Sequence, residues 1–548
     1  MQSTTNRTRL MQKEKRITRR TVLKTLAMSV PVLGLGTQAL LAERRNNSRQ
    51  VLGKNVVLFI TDQERAIQHF PVNWERDNLP GLTRLKRNGL SFENAFTDAC
   101  MCSPARSTLM TGYFTAQHGV KYTLEENMSD PHRYPQVVLP LDLPNIASVM
   151  SAAGYNVVYK GKWHCSKPAD PGGVWVPSDV GQYGFTRWNP QDAGANQDID
   201  QGGGPPTISP PWTSGNNDGR FMYDDGDYQD GEEGVLAYLN SVAVGQQPFF
   251  LIVSLVNPHD VLFYPNNYIA ATYCTSPDCS WLMGDIEIPA TIGESLATKP
   301  SVQQQFLDIL RALGVLDTPE KQRNYVNFYG NLMKSSDDYL VQVLDTLDNL
   351  GLTDDTLIIR TADHGEMGLA HGGLRQKNFN FYEEAIRVPL VYSNPQLFPA
   401  PRKSKALVSH VDFLPTIATL FDAPESARAD WEGIDYSRLV LHPTGVPVQD
   451  YIAFTYDDYQ SGQASPPYPR PPNHIVSIRE DRYKLAEYYD VRGVKPSQWE
   501  MYDLLTDPLE VNNLANVSRT PQQQREYERL QAKLAEVKAT RLQPLPAP

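Results

Sequence analysis

The chain has 548 residues, 41% of them hydrophobic and 21% charged, with a formal net charge of −11. That length and apolar content can bury a large core, organised as one large domain plus a smaller one, and they exclude a disordered composition. The acidic balance argues against nucleic acid and anionic membranes as partners, and it requires any anionic substrate to meet a locally positive pocket.

Thr18-Arg19-Arg20-Thr21-Val22-Leu23-Lys24 resembles a twin-arginine export signal, with Val22 where Phe is commoner. An apolar run from Leu26 to Ala42 follows, short and broken by Pro31 and Gly34, so a membrane anchor is the weaker reading of it. Residues 1–42 therefore read as a signal peptide for the bacterial periplasm or beyond, with no stable membrane insertion after processing. They carry eight Lys/Arg and one Asp/Glu, so their +7 leaves −18 for the rest.

Lys54 to Ile60 has the mostly apolar pattern of a parallel strand buried on both faces, and it ends at Thr61-Asp62-Gln63. Open α/β sheets place ligands at such strand ends. Taken alone, Asp62 reads equally as a helix cap. Leu79 to Phe92 reads as a helix and a short strand leading to Cys102-Ser103-Pro104-Ala105-Arg106-Ser107-Thr108-Leu109-Met110-Thr111-Gly112. Pro104 suits a first helical turn, where its missing N–H costs nothing. Cys102 then sits at the helix mouth, and Arg106, four positions on, shares its side. Free N–H groups and the positive helix end favour an anion there, and Arg grips oxyanions bidentately.

Leu143 to Ala153 reads as a helix, and Tyr155 to Lys160 as a second buried strand running into Gly161-Lys162-Trp163-His164. In an extended segment Lys162 and His164 project from one face. Residues 166–230, rich in Gly, Pro, Asn and Asp, form a long irregular insertion expected to wall the pocket. Pro248 to Leu255 is a third strand, followed by Asn257-Pro258-His259-Asp260. Gln303 to Leu313 and Lys321 to Leu350 read as helices. Thr356 to Thr361 is a fourth strand, ending at Ala362-Asp363-His364-Gly365-Glu366, and Lys377 lies in the polar stretch after it. Arg387 to Tyr392 is another strand, and His410 to Thr416 opens a helix. From Asp450 the texture changes to short strands, Ile475 to Glu480 and Tyr483 to Tyr488, with a closing helix from Gln522 to Ala539.

The Cys102 string resembles the signature of the type I sulfatases, C-x-P-x-R followed by x-x-x-x-T-G, in the alkaline-phosphatase-like superfamily. The supporting pieces occur in that family's order: Asp62-Gln63, Lys162/His164, His259, Asp363-His364 and Lys377. The resemblance implies an α/β fold, a large mixed but mostly parallel sheet flanked by helices, over residues 43–449. A small C-terminal antiparallel sheet with a helix is implied over 450–548. It implies that a maturation enzyme oxidises Cys102 to formylglycine, whose hydrate attacks the sulfur of a small-molecule or carbohydrate sulfate monoester.

Arg106, Lys162 and Lys377 are then expected to stabilise the charge, His259 to assist the leaving alcohol or phenol, and His164 to help the sulfated hydrate collapse. Asp62, Gln63, Cys102, Asp363 and His364 are the implied ligands of one divalent ion. A mostly oxygen set suits Ca²⁺, and one imidazole admits Mn²⁺. Glu366, His371 and Arg375 read as supporting residues.

Gln63, His364 and Ala105 depart from the commonest family pattern, and Asp62-Gln63 resembles the choline sulfatase and phosphonate monoester hydrolase branches. The Lys162/His164 pair tilts the reading toward sulfate. Phosphonate monoester or phosphodiester hydrolysis on the same site stays an alternative, as does a silent relative that binds sulfated ligands with Cys102 unoxidised. Conversion of Cys102 leaves Cys100, Cys165, Cys274 and Cys279, of which Cys274 and Cys279 are close enough in sequence to close a small disulfide loop in an oxidising compartment.

Overall fold

The computed structural model describes residues 51–546, except 67–68, 126–135, 171–172, 196–198, 205–215, 243–246, 266–276 and 464–465. The export signal, Cys274 and the Cys279 side chain lie outside the described residues. Cys100, Cys102 and Cys165 are buried free thiols.

Side-chain alternation decides the layers. In β1 (Asn55–Asp62), Val56, Leu58 and Ile60 enter one buried cluster, while Val57 and Phe59 enter another on the opposite face. Both faces are apolar, so both must be covered. The other strands of this sheet are β2 (Gly89–Phe96), β3 (Asn156–Gly161), β4 (Phe249–Pro258), β5 (Thr356–Ala362), β6 (Leu390–Ser393) and β7 (Arg402–Ser409). Their order is β3-β4-β1-β5-β6-β2-β7. Only β6 runs against the rest, so the sheet is mixed and mostly parallel.

One face is covered by α1 (Pro80–Arg87), through Leu82 and Leu85. The other receives α2 (Cys102–Thr111) and α3 (Ile146–Ala152). Further along come α4 (Ser301–Leu310), α5 (Pro319–Asn349) and α6 (Phe413–Leu420). α5 joins α1 on the first face, and α6 packs with α2 and α3 on the second. Asp337 of α5 accepts the N–H groups of Gly81 and Leu82 at 2.6 and 2.8 Å, answering orphan donors at the start of α1.

β8 (Tyr451–Tyr456), β9 (His474–Glu480), β10 (Tyr483–Tyr489) and β11 (Gln498–Asp503) form a second, antiparallel sheet. α7 (Pro521–Thr540) lays Leu530, Leu534 and Val537 onto it, a one-sided stripe at helical spacing. Thr520 caps that helix by accepting the Gln523 N–H at 3.2 Å.

The described part of the 166–230 insertion differs from the expected pocket wall. Trp175, Tyr183, Phe185 and Trp188 are buried in the main core, so much of the described segment is a packed layer against β3. Its apolar aromatics outweigh the loop-forming composition around them.

Candidate active site

Because β1, β3, β4 and β5 are parallel, their carboxyl ends share one edge, the usual place for a site in such sheets. Asp62 closes β1, Lys162 follows β3, His259 follows β4 and Asp363 follows β5. α2 opens at this edge with Cys102, and all ten of its residues are buried. Gly161 makes the edge tight. Its φ is +98°, and a Cβ there would lie 2.0 Å from the Ser254 carbonyl oxygen, which accepts the Lys162 N–H at 2.9 Å.

Among the described residues, one donor atom from each of Asp62, Cys102, Asp363 and His364 falls within 4.8 Å of the others. His364 Nδ1 lies 3.1 Å from the Gly365 carbonyl oxygen. That contact places the proton on Nδ1 and turns the Nε2 lone pair inward. Nε2 then lies 3.3 Å from Cys102 Sγ and 3.7 Å from Asp62 Oδ1, with Sγ 3.5 Å from that same oxygen.

Lone pairs therefore converge with only the thiol proton between them, an arrangement that fits a cation. Burial pushes Asp363 up to about 7, and the Asp62 charge adds to the rise. Burial raises Asp62 too, but the Lys162 and Arg106 charges hold it well below the usual carboxylate range. Burial and then Lys377 depress His364, which keeps it neutral as a ligand must be. Two acids, one imidazole and side chain 102 thus suit one hard or borderline divalent ion.

Arg106 is fully buried and already committed. Nε donates to Asp363 Oδ2 at 2.9 Å, Nη1 to Ser254 Oγ at 2.7 Å and to the Lys162 carbonyl at 3.0 Å, and Nη2 to Asp62 Oδ2 at 3.2 Å. Four of its five N–H groups are spent within the protein. It therefore clamps the two acidic ligands, where the sequence suggested a direct grip on the oxyanion.

Lys162 Nζ lies 2.6 Å from Asp62 Oδ2 and donates to the Gly194 carbonyl at 2.9 Å. Lys377 Nζ donates to Gln63 Oε1 at 2.6 Å, and Gln63 Nε2 donates to Glu366 Oε2 at 2.6 Å. Gln63 thus stands at the rim of the donor cluster with its amide fixed between Lys377 and Glu366. Glu366 also accepts from Tyr325 and from the Gln376 N–H.

Cys102, His164, His259 and Lys377 line one cleft of about 210 Å³. The segment after β3 is not extended, since His164 has a φ of +52°. Its Nε2 donates to the Leu124 carbonyl, which leaves Nδ1 as a buried acceptor with no partner among the described residues. Burial and then Lys162 depress His164, so this nitrogen is a free base. His259 Nδ1 likewise has no partner among the described residues, and burial holds its ring neutral.

Several site residues had no signal in the sequence. Ser254 sits inside an apolar strand run, and the cleft also takes Phe306 from α4, Glu125 from a polar loop and Ser461 from the C-terminal part. From the described insertion, only Gly194 reaches the lining.

Residues 54–423 match the Sulfatase family model, and residues 371–540 match the model for the N-sulphoglucosamine sulphohydrolase C-terminal region. The chain is 24% identical over 493 residues to an ulvan-active sulfatase of Formosa agariphila, covering 88% of this chain and 81% of that one. It is 26% identical over 469 residues to a choline-sulfatase of Rhizobium meliloti, covering 81% and 78%. It shares the fold of the phosphonate monoester hydrolase of Agrobacterium radiobacter, with a TM-score of 0.60 at 20% identity over 88% of this chain and 95% of that one. Since the Sulfatase match spans more than half of its length, the chain belongs to the sulfatase family and is a sulfuric ester hydrolase.

Proposed function

We propose that the enzyme cleaves a carbohydrate sulfate monoester, using formylglycine at position 102 and one divalent cation. The observation that carries this is the convergence of the Asp62, Asp363 and His364 donors and the Lys162 ammonium group on Cys102, which lines one cleft together with Lys377. The carbohydrate class rests on the likeness to polysaccharide-directed relatives such as the ulvan-active enzyme.

As an unmodified thiol, Cys102 is a poor nucleophile, because burial and then the Asp62 charge push it up to about 12. Formylglycine supplies a hydrated aldehyde there instead. A cation held by Asp62, Asp363, His364 and residue 102, with Gln63 beside them, supplies charge that acidifies that hydrate and neutralises sulfate oxygens. Ca²⁺ suits the set best, with Mn²⁺ second.

The chain's own residues do the rest. Lys162 has three N–H donors and two partners, and Lys377 has three donors and one partner among the described residues, so both keep donors for sulfate oxygens. Arg106 keeps Asp62 and Asp363 in place while charge develops, so little reorganisation is needed. His259 offers an N–H to the departing oxygen. His164 Nδ1, a free acceptor, takes the proton when the sulfated hydrate collapses.

Matured enzyme should hydrolyse an aryl sulfate faster than the matching aryl phosphonate. The reverse order would reassign it to phosphonate ester hydrolysis. We also propose twin-arginine export directed by residues 1–42. Replacing Arg19 and Arg20 with Lys should then hold the protein in the cytoplasm, and unchanged export would rule this out.

A further inference from the structure

The cleft above Cys102 has two unlike linings. Phe306, Ile309, Leu310 and Leu313 give an apolar surface on α4 and the turn after it. Thr123, Glu125, Asn378 and Ser461 give a polar one. Glu125 is the only carboxylic acid among the described lining residues. It is 7% exposed, and its carboxyl takes no hydrogen bond from any described residue. A buried polar group without a partner costs stability and calls for something to answer it.

The group is also held in place. The Leu124 N–H donates to Ser103 Oγ at 3.0 Å, and the Leu124 carbonyl accepts from His164, so the segment is tied to α2 and to a catalytic histidine. The Glu125 N–H donates to Gln136 Oε1 at 2.8 Å, and Lys167 Nζ donates to the Glu125 carbonyl. Gly462 closes against the carboxyl, where a Cβ would lie 2.8 Å from Oε1. The sulfate oxygens already have donors in Lys162 and Lys377. The part of the ester left for it is the alcohol.

We propose that Glu125 determines specificity for the alcohol half of the ester, hydrogen-bonding a ring hydroxyl of a pyranose whose apolar face lies on Phe306 and Leu310. This deepens the sulfatase reading and rests on it. Burial and then the Asp458 charge push the Glu125 carboxyl well above its usual range, which favours the neutral form. A neutral carboxyl both donates and accepts, as a hydroxyl does, and it offers little to a cationic alcohol such as choline. The cleft is smaller than the ~300–1,000 Å³ of pockets for larger ligands, so it suits a single ring.

The test compares wild type, Glu125→Ala and Glu125→Gln on monosulfated pyranoses, nitrophenyl sulfate and choline sulfate, with formylglycine at position 102 verified by mass in each. Glu125→Ala should lower kcat/KM for the best pyranose sulfate about 10- to 100-fold more than for nitrophenyl sulfate. Glu125→Gln, which keeps a neutral donor and acceptor, should recover most of that difference. Equal losses on both esters would overturn the proposal. Choline sulfate outpacing every pyranose, with the Gln variant as impaired as the Ala variant, would also overturn it. No sulfate release from any ester by matured wild type would overturn the sulfatase reading itself, and this inference with it.

Discussion

Arg106→Ala tests whether the guanidinium clamps the two acidic ligands. The side chain is fully buried and bonds Asp62, Asp363, Ser254 and the Lys162 carbonyl. Removing it strands the buried Asp363 carboxyl and leaves Asp62 to Lys162 alone, and breaking a buried ion pair this way costs about 3–5 kcal/mol. Unfolding entropy near ~2.1 cal/mol/K per residue, over roughly 500 folded residues, gives ~1 kcal/mol per degree, so Tm should fall by about 3–5 °C.

A bound divalent ion offers the carboxylates another counter-charge, so the drop should be largest with chelator and smaller with excess Ca²⁺. Activity should fall further than stability suggests, by about 10²–10³-fold in kcat, because preorganisation is lost. Differential scanning calorimetry with and without Ca²⁺, beside initial rates on an aryl sulfate, reads both effects. A variant with unchanged Tm in chelator and near-parental kcat would refute the clamp.

Cys102→Ala should abolish turnover while leaving the fold intact, checked by sulfate release and circular dichroism, since the small side chain changes little packing in α2. In chelated protein Asp363 titrates near 7, against about 3.9 unfolded. A raised folded pKa gives stability that is full below about 4 and is lost as pH rises through 7. Tm in chelator should therefore fall from pH 5 to 8, and Ca²⁺ should raise it more at pH 8 than at pH 5. A flat profile would sink that assignment. His259→Ala should slow alkyl sulfates more than aryl sulfates, by an extra factor of about 10–100, because poorer leaving groups need the N–H more. Glu500 accepts from Tyr382, Tyr488, Tyr502 and Gln303, and Gln303 sits on α4. Glu500→Gln should therefore cost about 1–3 kcal/mol of stability and raise KM through a displaced Phe306 wall, measured by melting and steady-state kinetics.

The central strands were legible because burial on both faces writes an apolar run: β1, β3, β4 and β5 all do so. β7 was not, since Arg402, Lys403 and Lys405 face solvent at the sheet edge and the continuous buried run begins only at Ala406. The same rule explains the site. Asp62, Lys162, His259 and Asp363 stand at strand ends, where chain order gives their position away. Ser254 and Glu125 were invisible because their roles depend on partners more than a hundred residues away or on the shape of the cleft. The committed state of Arg106 and the left-handed turn at His164 are three-dimensional facts with no sequence period. The aromatics of the insertion were readable in principle, since Trp175, Tyr183, Phe185 and Trp188 at close spacing argue for burial more strongly than their glycine-rich surroundings argue for a loop.

The most direct test is the mass of the peptide spanning Cys102, taken from enzyme matured in a competent host and assayed for sulfate release in the same preparation. The account predicts formylglycine at position 102, with activity rising in proportion to its fraction. Full sulfatase activity from protein carrying only the unmodified thiol would contradict it.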